Sequence, residues 1–282
     1  MGGGAFLFQP SDPTFNFAVY SDFKQSLSMS KIVFITGATS GFGKACAEKF
    51  ASQGYRCVLN GRREERLQEL KTSLEKKYNT ASWILPFDVQ DQDRVFNAIH
   101  GIPGEWQGID VLVNNAGLAL GRDYFDEANL DDWNTMIDTN LKGLIYVTRA
   151  TLPFMINHGK GHIINIGSTA GKEVYEKGNV YCASKHAVDA VSQAMRIDLL
   201  RHHIKVTAIH PGAAETEFSL VRFKGDEETA KKVYDGFKPL GATDVAEVVY
   251  FTTTLPPHVC INDLVLTATQ QANSFYFNRS GQ

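Results

Sequence analysis

Several features that would indicate other protein classes are scarce in this chain of 282 residues. No uninterrupted apolar run approaches the ~20 residues needed to span a bilayer. The formal net charge of -3 gives no basic footprint of a nucleic-acid binder. The sequence also contains no CxxC pair and no metal-ligand spacing, and its cysteines are widely scattered: Cys46, Cys57, Cys182 and Cys260. We therefore expect free thiols, no disulfide, no metal, a cytoplasmic location and no membrane or nucleic-acid partner.

The first 29 residues differ from the rest of the chain. They lack a basic n-region, and Pro10, Asp12 and Pro13 interrupt their apolar residues, so they make a poor signal peptide. Met29 stands immediately before "SKIVFITG", where a regular pattern begins. We expect residues 1–29 to be an added or upstream-translated extension and residues 30–282 to form a single domain.

From residue 31 onward, short β-branched runs alternate with longer segments of helical period. Seven apolar runs have the length of buried parallel strands. They read "KIVFIT", "YRCVL", "SWILPFDV", "DVLVNNA", "HIINIGS", "KVTAIHP" and "INDLVLTA". Helical stretches between them include residues 44–54, 63–77, 131–159 and 181–202. This alternation predicts an α/β fold, with one doubly wound parallel sheet and helices on both faces.

The first predicted strand runs into a glycine-rich turn, "TGATSGFG", at residues 36–43. Glycines at the end of a strand let the backbone approach a ligand, and the following helix N-terminus suits a pyrophosphate. The spacing is Gly-x-x-x-Gly-x-Gly and differs from the commoner Gly-x-Gly-x-x-Gly. Its place in a βαβ unit predicts a dinucleotide site. The residues assigned to it are Gly37, Thr39, Ser40, Gly41, Phe42 and Gly43.

The end of the second strand indicates which dinucleotide is bound. An NAD-selective protein carries an acid there for the ribose 2′-hydroxyl, but this chain has "NGRR" at residues 60–63. Arg62 and Arg63 begin a helix, where cations oppose the macrodipole unless a phosphate lies between them. We therefore predict NADP, with an exposed, solvated arginine pair as the alternative.

Two later strand ends also contribute to the predicted cofactor site. Asp88 and Val89 end the third strand and are placed to reach the adenine, with an aspartate that caps the next helix as the alternative. The fourth strand ends in "VLVNNAG". Its Asn115, Ala116 and Gly117 are predicted to form a wall of the cofactor site, with a merely polar strand end as the alternative.

Tyr181 and Lys185 lie four residues apart in the helical stretch "NVYCASK". An ammonium near a phenol lowers the phenol pKa and makes it a proton-transfer group, whereas an isolated pair of this kind is usually an amphipathic face. Ser168 ends the fifth strand and opens onto the same sheet edge. Asn140, inside a helix that otherwise looks buried, must find polar partners, which makes it either a functional residue or a satisfied core amide.

Taken together, these motifs resemble the short-chain dehydrogenase/reductase family over residues 31 to about 270. The resemblance rests on "TGATSGFG", "NNAG", Asn140, Ser168, "YCASK" and "HPG" followed by Thr216. It implies a Rossmann-type fold and adds Pro211, Gly212 and Thr216 to the cofactor site. It further implies Tyr181 as the acid/base, Lys185 as the group that lowers its pKa and holds the ribose, Ser168 as the substrate-orienting hydroxyl, and Asn140 as the holder of a relay water.

"NNAGLALG", "MIDTNLKGL", "TEFSLVRFKGD" and "TLPPHVCIN" resemble one subgroup, the NADP-dependent 3-hydroxy acid (serine or L-allo-threonine) dehydrogenases. That resemblance implies a homotetramer and oxidation of the 3-hydroxyl of small hydroxy acids such as serine, allo-threonine or 3-hydroxyisobutyrate. A broad NADPH-dependent carbonyl reductase and a non-catalytic NADP-binding module are the alternatives. One departure from the subgroup is the charged segment "KEVYEKG" at residues 172–178, which the subgroup tends to keep small and rich in proline and glycine.

The substrate lid is expected around residues 213–240, where Arg222 lies among apolar residues. Its guanidinium suits bidentate capture of a substrate carboxylate. Together with Ser168 and Tyr181, it completes the predicted substrate-binding set. The alternatives are that Arg222 pairs with Asp226 or Glu227, or that Arg279 binds the carboxylate instead.

Overall fold

A computed structural model of the protein describes residues 30–280, and the expected extension at residues 1–29 lies outside them. Lys31–Gln282 make up one compact unit. Seven strands form a single parallel sheet in the order β3-β2-β1-β4-β5-β6-β7. They are β1 (Ile32–Ile35), β2 (Arg56–Gly61), β3 (Ser82–Pro86), β4 (Ile109–Asn114), β5 (Gly161–Ile166), β6 (Ile204–Pro211) and β7 (Asp263–Leu266). Each of the seven predicted runs contributes one strand, and the predicted Rossmann-type fold is confirmed.

The helices alternate with the strands along the chain. They are α1 (Gly41–Ser52), α2 (Glu64–Tyr78), α3 (Gln92–His100), α4 (Leu130–Ile137), α5 (Leu144–His158), α6 (Asn179–Asp198), α7 (Glu217–Arg222), α8 (Glu227–Lys232) and α9 (Ala242–Thr253). The stretch predicted as one helix at 131–159 consists of α4, a π-helical segment Asp138–Gly143 and α5. Short π segments interrupt α-helices frequently at functional sites.

Two apolar layers cover the sheet. One contains β-strand residues such as Val33 and Val113 together with Phe50 of α1 and Val249 of α9. The other contains Phe34, Leu112 and Ile163 with side chains of α3, α5 and α6. Every residue of β1, β2, β5 and most of β4 and β6 is buried, because a parallel sheet is covered on both faces. This burial makes the strands readable as continuous apolar runs.

The topology determines where a ligand can bind. The chain winds outward from β1 to β3 on one side and then returns to β4 beside β1, so the strand order reverses between β1 and β4. Ligands of such sheets bind outside the carboxyl ends of the strands at this switch point. Within residues 30–280, no helix combines the length and the apolar character required to cross a membrane.

Candidate active site

A cavity of about 1230 Å³ opens at the carboxyl edge of the sheet. All predicted site residues except Gly43 and Asn140 line it. The lining residues among them are Gly37, Thr39, Ser40, Gly41, Phe42, Arg62, Arg63, Asp88, Val89, Asn115, Ala116, Gly117, Ser168, Tyr181, Lys185, Pro211, Gly212, Thr216 and Arg222. Predicted residues as far apart in the chain as Gly37 and Arg222 therefore line one cavity.

The glycine-rich turn has the geometry of a phosphate cradle. Gly37 and Gly41 have φ angles of 64° and 50°, in the left-handed region that favours glycine. Gly43 lies behind the cavity wall because it supports the turn: a Cβ there would lie 2.2 Å from the Gly37 carbonyl oxygen. The turn leads directly into α1, whose N-terminus offers unpaired N–H groups and positive dipole to an anion. These residues fit a dinucleotide pyrophosphate.

The two asparagines of "NNAG" have different roles in the structure. Asn115 donates from Nδ2 to the carbonyl oxygens of Thr36 (2.9 Å) and Gly37 (3.2 Å), which ties the end of β4 to the glycine-rich turn. Asn114 is buried and donates to Thr148 Oγ1 (2.8 Å) and Asn165 Oδ1 (2.9 Å). Asn114 therefore supports the sheet, while Asn115, Ala116 and Gly117 line the cavity.

The end of β2 is lined by basic side chains. Arg63 donates to Thr39 Oγ1 at 2.9 Å and lies 3.5 Å from Glu217 Oε2, and Arg62 lies 3.6 Å from Asp88. Asn60, where an acid would select NAD, is buried and donates to the carbonyl oxygens of Leu85 and Phe87 at 3.0 Å. Both arginine pairs are exposed, so a 2′-phosphate can replace their carboxylate partners with little loss.

The helix-cap alternative for Asp88 is wrong. The N-cap of α3 is Asp91, whose carboxylate accepts from Arg94 N at 3.0 Å. Asp88 accepts from the backbone N–H of Gln90 at 3.1 Å instead, and it lines the cavity. This position leaves its side chain beside Arg62 at the end of the chamber that the adenine is predicted to occupy.

Tyr181 and Lys185 lie one turn apart near the beginning of α6, and both are buried, with 8% and 6% of their surface exposed. Lys185 Nζ donates to the carbonyl oxygen of Ile166 at 2.9 Å, at the end of β5. Ser168, two residues further on, caps a short 3-10 turn by accepting from Ala170 N at 3.1 Å. The three side chains predicted to do chemistry therefore meet where β5 ends and α6 begins.

Burial is the largest influence on the pKa values of Tyr181 and Lys185. It raises the pKa of Tyr181 above the usual phenol value, and nearby Tyr175 raises it further, whereas the Ser168 hydroxyl and Arg222 act in the opposite direction. The direction is opposite to the one expected from the neighbouring lysine. Burial lowers the pKa of Lys185 to about 8. Without bound ligands, Tyr181 is therefore a proton donor at neutral pH, since desolvation disfavours its anion.

Asn140 lies in the π-helical segment and is buried. Its Oδ1 accepts from Leu118 N at 2.8 Å, while Nδ2 donates to Leu118 O (2.8 Å) and Ser184 Oγ (3.0 Å). Ser184 in turn donates to the Tyr181 carbonyl oxygen at 2.8 Å. Both amide protons are thus used within the protein, so the predicted relay water has only acceptor atoms left at this residue.

Arg222 reaches the catalytic end of the cavity. Its Nη1 donates to the Tyr175 hydroxyl at 3.1 Å, and its guanidinium lies 5.5 Å from the centre of the Tyr181 ring. Of its two suggested carboxylate partners, Asp226 caps α8 by accepting from Thr229 N at 3.1 Å. Glu227 lies 3.6 Å from Lys231. The alternative in which Arg222 pairs with either acid is therefore wrong.

Arg279 has a different environment. It donates to the backbone carbonyl oxygens of Val233 (3.2 Å) and Asp235, and its guanidinium lies 4.9 Å from the ring centre of Phe237. Although it lines the cavity, its donors are used to hold the C-terminal segment against the lid. Arg222 is thus the arginine beside Tyr181.

Among the lining residues that were not identified from the sequence, Tyr175 and Glu217 contact predicted site residues. Tyr175 accepts a hydrogen bond from Arg222 and lies near Tyr181, and the only available signal was its place inside the segment that departs from the subgroup pattern. Glu217 begins α7 and contacts Arg63 and Arg66 at 3.5 Å and 3.2 Å. An acid directly after Thr216 also stabilises a helix N-terminus, so the sequence held no specific signal for its contact with the arginines.

Comparisons with known proteins show which family this chain belongs to. The family model for short-chain dehydrogenases matches residues 31–226. The NADP-dependent 3-hydroxy acid dehydrogenase YdfG of Escherichia coli strain K12 is 48% identical over 242 residues, which cover 86% of this chain and 96% of the relative. Sulfoacetaldehyde reductase 2 of Chromohalobacter salexigens is 46% identical over 249 residues, covering 88% and 98%.

A solved structure of the closed form of serine dehydrogenase complexed with NADP+ superimposes with a TM-score of 0.82 at 46% identity. The match covers 89% of this chain and all of the other. The glycine cradle and the arginines at the end of β2 are the parts of the present structure that fit the same dinucleotide. The chain therefore belongs to the short-chain dehydrogenase/reductase family, and it is an NADP-dependent oxidoreductase.

Proposed function

We propose that the protein oxidises the 3-hydroxyl group of a small 3-hydroxy acid, such as serine, allo-threonine or 3-hydroxyisobutyrate, with NADP. The observation that carries the substrate class is the position of Arg222, a cation beside Tyr181 in the wall of the cavity. The names of the relatives support it, since one is a 3-hydroxy acid dehydrogenase and another a serine dehydrogenase.

We assign the proton transfer to Tyr181. In oxidation its phenolate oxygen takes the alcohol proton, and in reduction its hydroxyl donates a proton to the carbonyl. Ser168 donates a second hydrogen bond to the same substrate oxygen and so fixes its position. The nicotinamide of NADP supplies the hydride acceptor in oxidation and the hydride donor in reduction.

We assign to Lys185 and Asn140 supporting roles in the proton transfer by Tyr181. The Lys185 ammonium favours the phenolate form electrostatically and holds the nicotinamide ribose, so bound ligands must offset the burial that raises the pKa of Tyr181. Asn140 positions α6 through Ser184 and holds the relay water through its remaining acceptors. The paired Arg62 and Arg63 bind the 2′-phosphate, and Asp88 and Val89 contact the adenine.

Arg222 is proposed to bind the substrate carboxylate. Its planar guanidinium offers two parallel N–H donors, and Tyr175 holds it toward the cavity. The lid segment around residues 213–240, with α7 and α8, then closes over the acid. A carboxylate held at this point places the 3-hydroxyl toward Ser168 and Tyr181.

A substrate panel with a pair of variants tests this function. Serine, allo-threonine, 3-hydroxyisobutyrate and matched uncharged alcohols would be assayed with NADP and with NAD. Arg222→Met should lower kcat/KM for the acids by a factor on the order of 10²–10³ and change the uncharged alcohols little. Arg279→Met is the matched control, since that arginine lines the cavity but bonds to lid carbonyls. Equal losses for acids and alcohols in Arg222→Met would assign Arg222 to lid structure.

A second candidate is the reverse reaction on a short aldehyde that carries an anion. It is favoured by the 46% identity to a sulfoacetaldehyde reductase, because a sulfonate presents oxygen acceptors to Arg222 as a carboxylate does. Sulfoacetaldehyde and uncharged aldehydes with NADPH belong in the same panel. Equal rates for charged and uncharged aldehydes would instead indicate a carbonyl reductase of broad specificity.

We further propose that the protein is a cytoplasmic homotetramer assembled through the helices around Asn140 and Tyr181. The outer surfaces of this region carry exposed apolar side chains, including Leu130, Ile145, Ile156, Ile197 and Leu200. Burying them between subunits removes apolar surface from water. Light scattering at micromolar concentration should give four times the chain mass of 31.2 kDa, and a stable monomer would contradict the proposal.

A further inference from the structure

Four charged or titratable side chains form a cluster behind Ser168, outside the cavity. Lys172 follows the 3-10 turn that Ser168 caps, Asp189 lies on α6, His210 on β6 and Asp263 on β7. Lys172 Nζ lies 3.0 Å from Asp189 Oδ2 and 2.5 Å from Asp263 Oδ2. His210 Nε2 lies 2.9 Å from Asp263 Oδ1. The cluster therefore links three secondary-structure elements to the turn after Ser168.

The cluster is built around a lysine and needs no metal ion. Asp189, His210 and Asp263 offer three ligand-type atoms within 4.8 Å of one another. The Lys172 ammonium already contacts both carboxylates and supplies the positive charge that a cation would bring. Burial lowers the pKa of Lys172, but its hydrogen bonds to Asp263 and Asp189 outweigh burial and leave it raised, so the ammonium stays charged at neutral pH.

His210 connects this cluster to the turn that Ser168 caps. Its ring is fully buried, and Nδ1 lies 3.3 Å from the Ser168 carbonyl oxygen. The His210 ring packs closely on Gly167, the residue before Ser168. A Cβ on Gly167 would lie 2.4 Å from His210 Nδ1. Gly167 N donates to Ile209 O at 2.7 Å, which ties the residue before Ser168 to β6 as well. A shift of the imidazole would therefore shift the backbone that carries the Ser168 hydroxyl.

Two carboxylates border the Nε2 edge of the imidazole. Among residues 30–280, Nε2 has no hydrogen-bond partner even though Asp263 Oδ1 is close, and Asp189 Oδ1 lies 3.8 Å away. Two carboxylates this close repel one another unless a cation lies between them. Asp263 is 43% exposed and would turn to solvent if the ammonium were removed. Lys172 thus fixes the position of the Asp263 carboxylate, and that carboxylate lies beside the His210 imidazole.

We propose that Lys172 is a positioning residue for catalysis, which holds Ser168 in place through Asp189, Asp263 and His210. The inference rests on the role assigned to Ser168 in the proposed function. It assigns a role to the first residue of the charged segment 172–178, which departs from the subgroup pattern. Lys172 contacts neither the cavity nor any residue assigned to the cofactor, so its removal should act on the chemical step alone.

A double-mutant cycle tests the inference. Lys172→Met should lower kcat by about 10- to 100-fold through misplacement of Ser168, with Kd for NADP unchanged. Ser168→Ala alone should lower kcat by about 10²–10³-fold. In the Ser168→Ala background, Lys172→Met should lower kcat by less than about twofold, because residues acting as one unit are not additive. Lys172→Arg, which keeps the charge, should restore most of the activity.

Lys160→Met is the matched control, since Lys160 pairs with Asp110 at 2.8 Å away from the cavity and should leave kcat unchanged. Multiplicative losses in the double variant, or full kcat in Lys172→Met, would overturn the positioning role and leave the proposed function intact. Full kcat in Ser168→Ala would instead remove the role of Ser168 itself. If Lys172→Met does not fold, Asp189→Asn removes one carboxylate of the cluster and is used in the same cycle.

Discussion

The catalytic wall and the cofactor mouth of the cavity are held in different ways. We define the catalytic wall as Asn140, Ser168, Tyr181 and Lys185, and the cofactor mouth as Thr39, Arg62, Arg63 and Glu217. In the wall, Tyr181, Lys185 and Asn140 are buried, and protein groups take the hydrogen bonds of Asn140 and Lys185. At the mouth, the exposed Arg63 contacts the exposed Glu217, and the exposed Arg62 contacts the half-buried Asp88.

The difference shows which half is preorganised before ligands arrive. A buried polar or charged group that loses its partner costs free energy, so the wall keeps its arrangement in the protein without ligands. Exposed ion pairs are worth about 0–1 kcal/mol, so those at the mouth exchange readily for a phosphate. Substitutions in the wall should therefore have larger effects than those at the mouth, and they should act on different steps.

The largest effect is expected at Tyr181. Tyr181→Phe removes only the phenol oxygen and should lower kcat by about 10²–10⁴-fold or more, the range for loss of a general acid or base. Kd for NADPH, measured by fluorescence titration, should remain unchanged. Tyr250→Phe, in the aromatic cluster on α9, is the control with the same chemical change outside the cavity. Retention of most activity in Tyr181→Phe would contradict the assignment of the proton transfer.

A pH-dependent change in stability is expected at Lys185. Burial lowers its pKa from 10.5 to about 8 in the folded protein, a cost on the order of 3 kcal/mol when the amine is charged. Below pH 8 this cost is fully present. Between pH 8 and 10.5 the unfolded chain keeps a proton that the folded protein has released, so the cost disappears as pH rises.

Lys185→Met should therefore raise the free energy of unfolding at pH 7 by about 1–3 kcal/mol, after loss of the hydrogen bond to Ile166 O. The gain should vanish as pH approaches 10.5. Urea denaturation of both proteins at pH 7 and pH 10 measures it. Activity should be lost in the same variant, because the buried charge that lowers stability is needed for the reaction. A pH-independent difference would show that Lys185 is not the buried titrating group.

The smallest effect is expected at the mouth. Arg62→Ala and Arg63→Ala should each raise KM for NADP by about 10- to 100-fold, from loss of a charge-assisted phosphate contact worth ~1.5–3 kcal/mol, and leave KM for NAD nearly unchanged. Arg94→Ala, which removes an exposed arginine of α3, is the control. Equal changes for both cofactors would exclude binding of the 2′-phosphate.

Much of the fold was predictable because its central strands are buried on both faces and must be apolar at successive positions. Seven apolar runs of strand length became seven parallel strands, including the edge strands β3 and β7, which are less buried. The π-helical segment at Asp138–Gly143 was not predictable. Its residues continue a helical pattern in the sequence, and the segment differs from the flanking α-helices in its backbone hydrogen bonding.

The sequence by itself determined the parts of the site whose members are close in the chain. Tyr181 and Lys185 share one helix face because four residues make about one turn, and the glycines of the first turn lie within seven positions. Tertiary structure decided the contacts that bring distant positions together. Arg222 meets Tyr175 across 47 residues and Lys172 meets Asp263 across 91, contacts that depend on how the strands are ordered in the sheet. Local spacing specifies neighbours on one element, whereas only packing of the whole sheet selects which elements become neighbours.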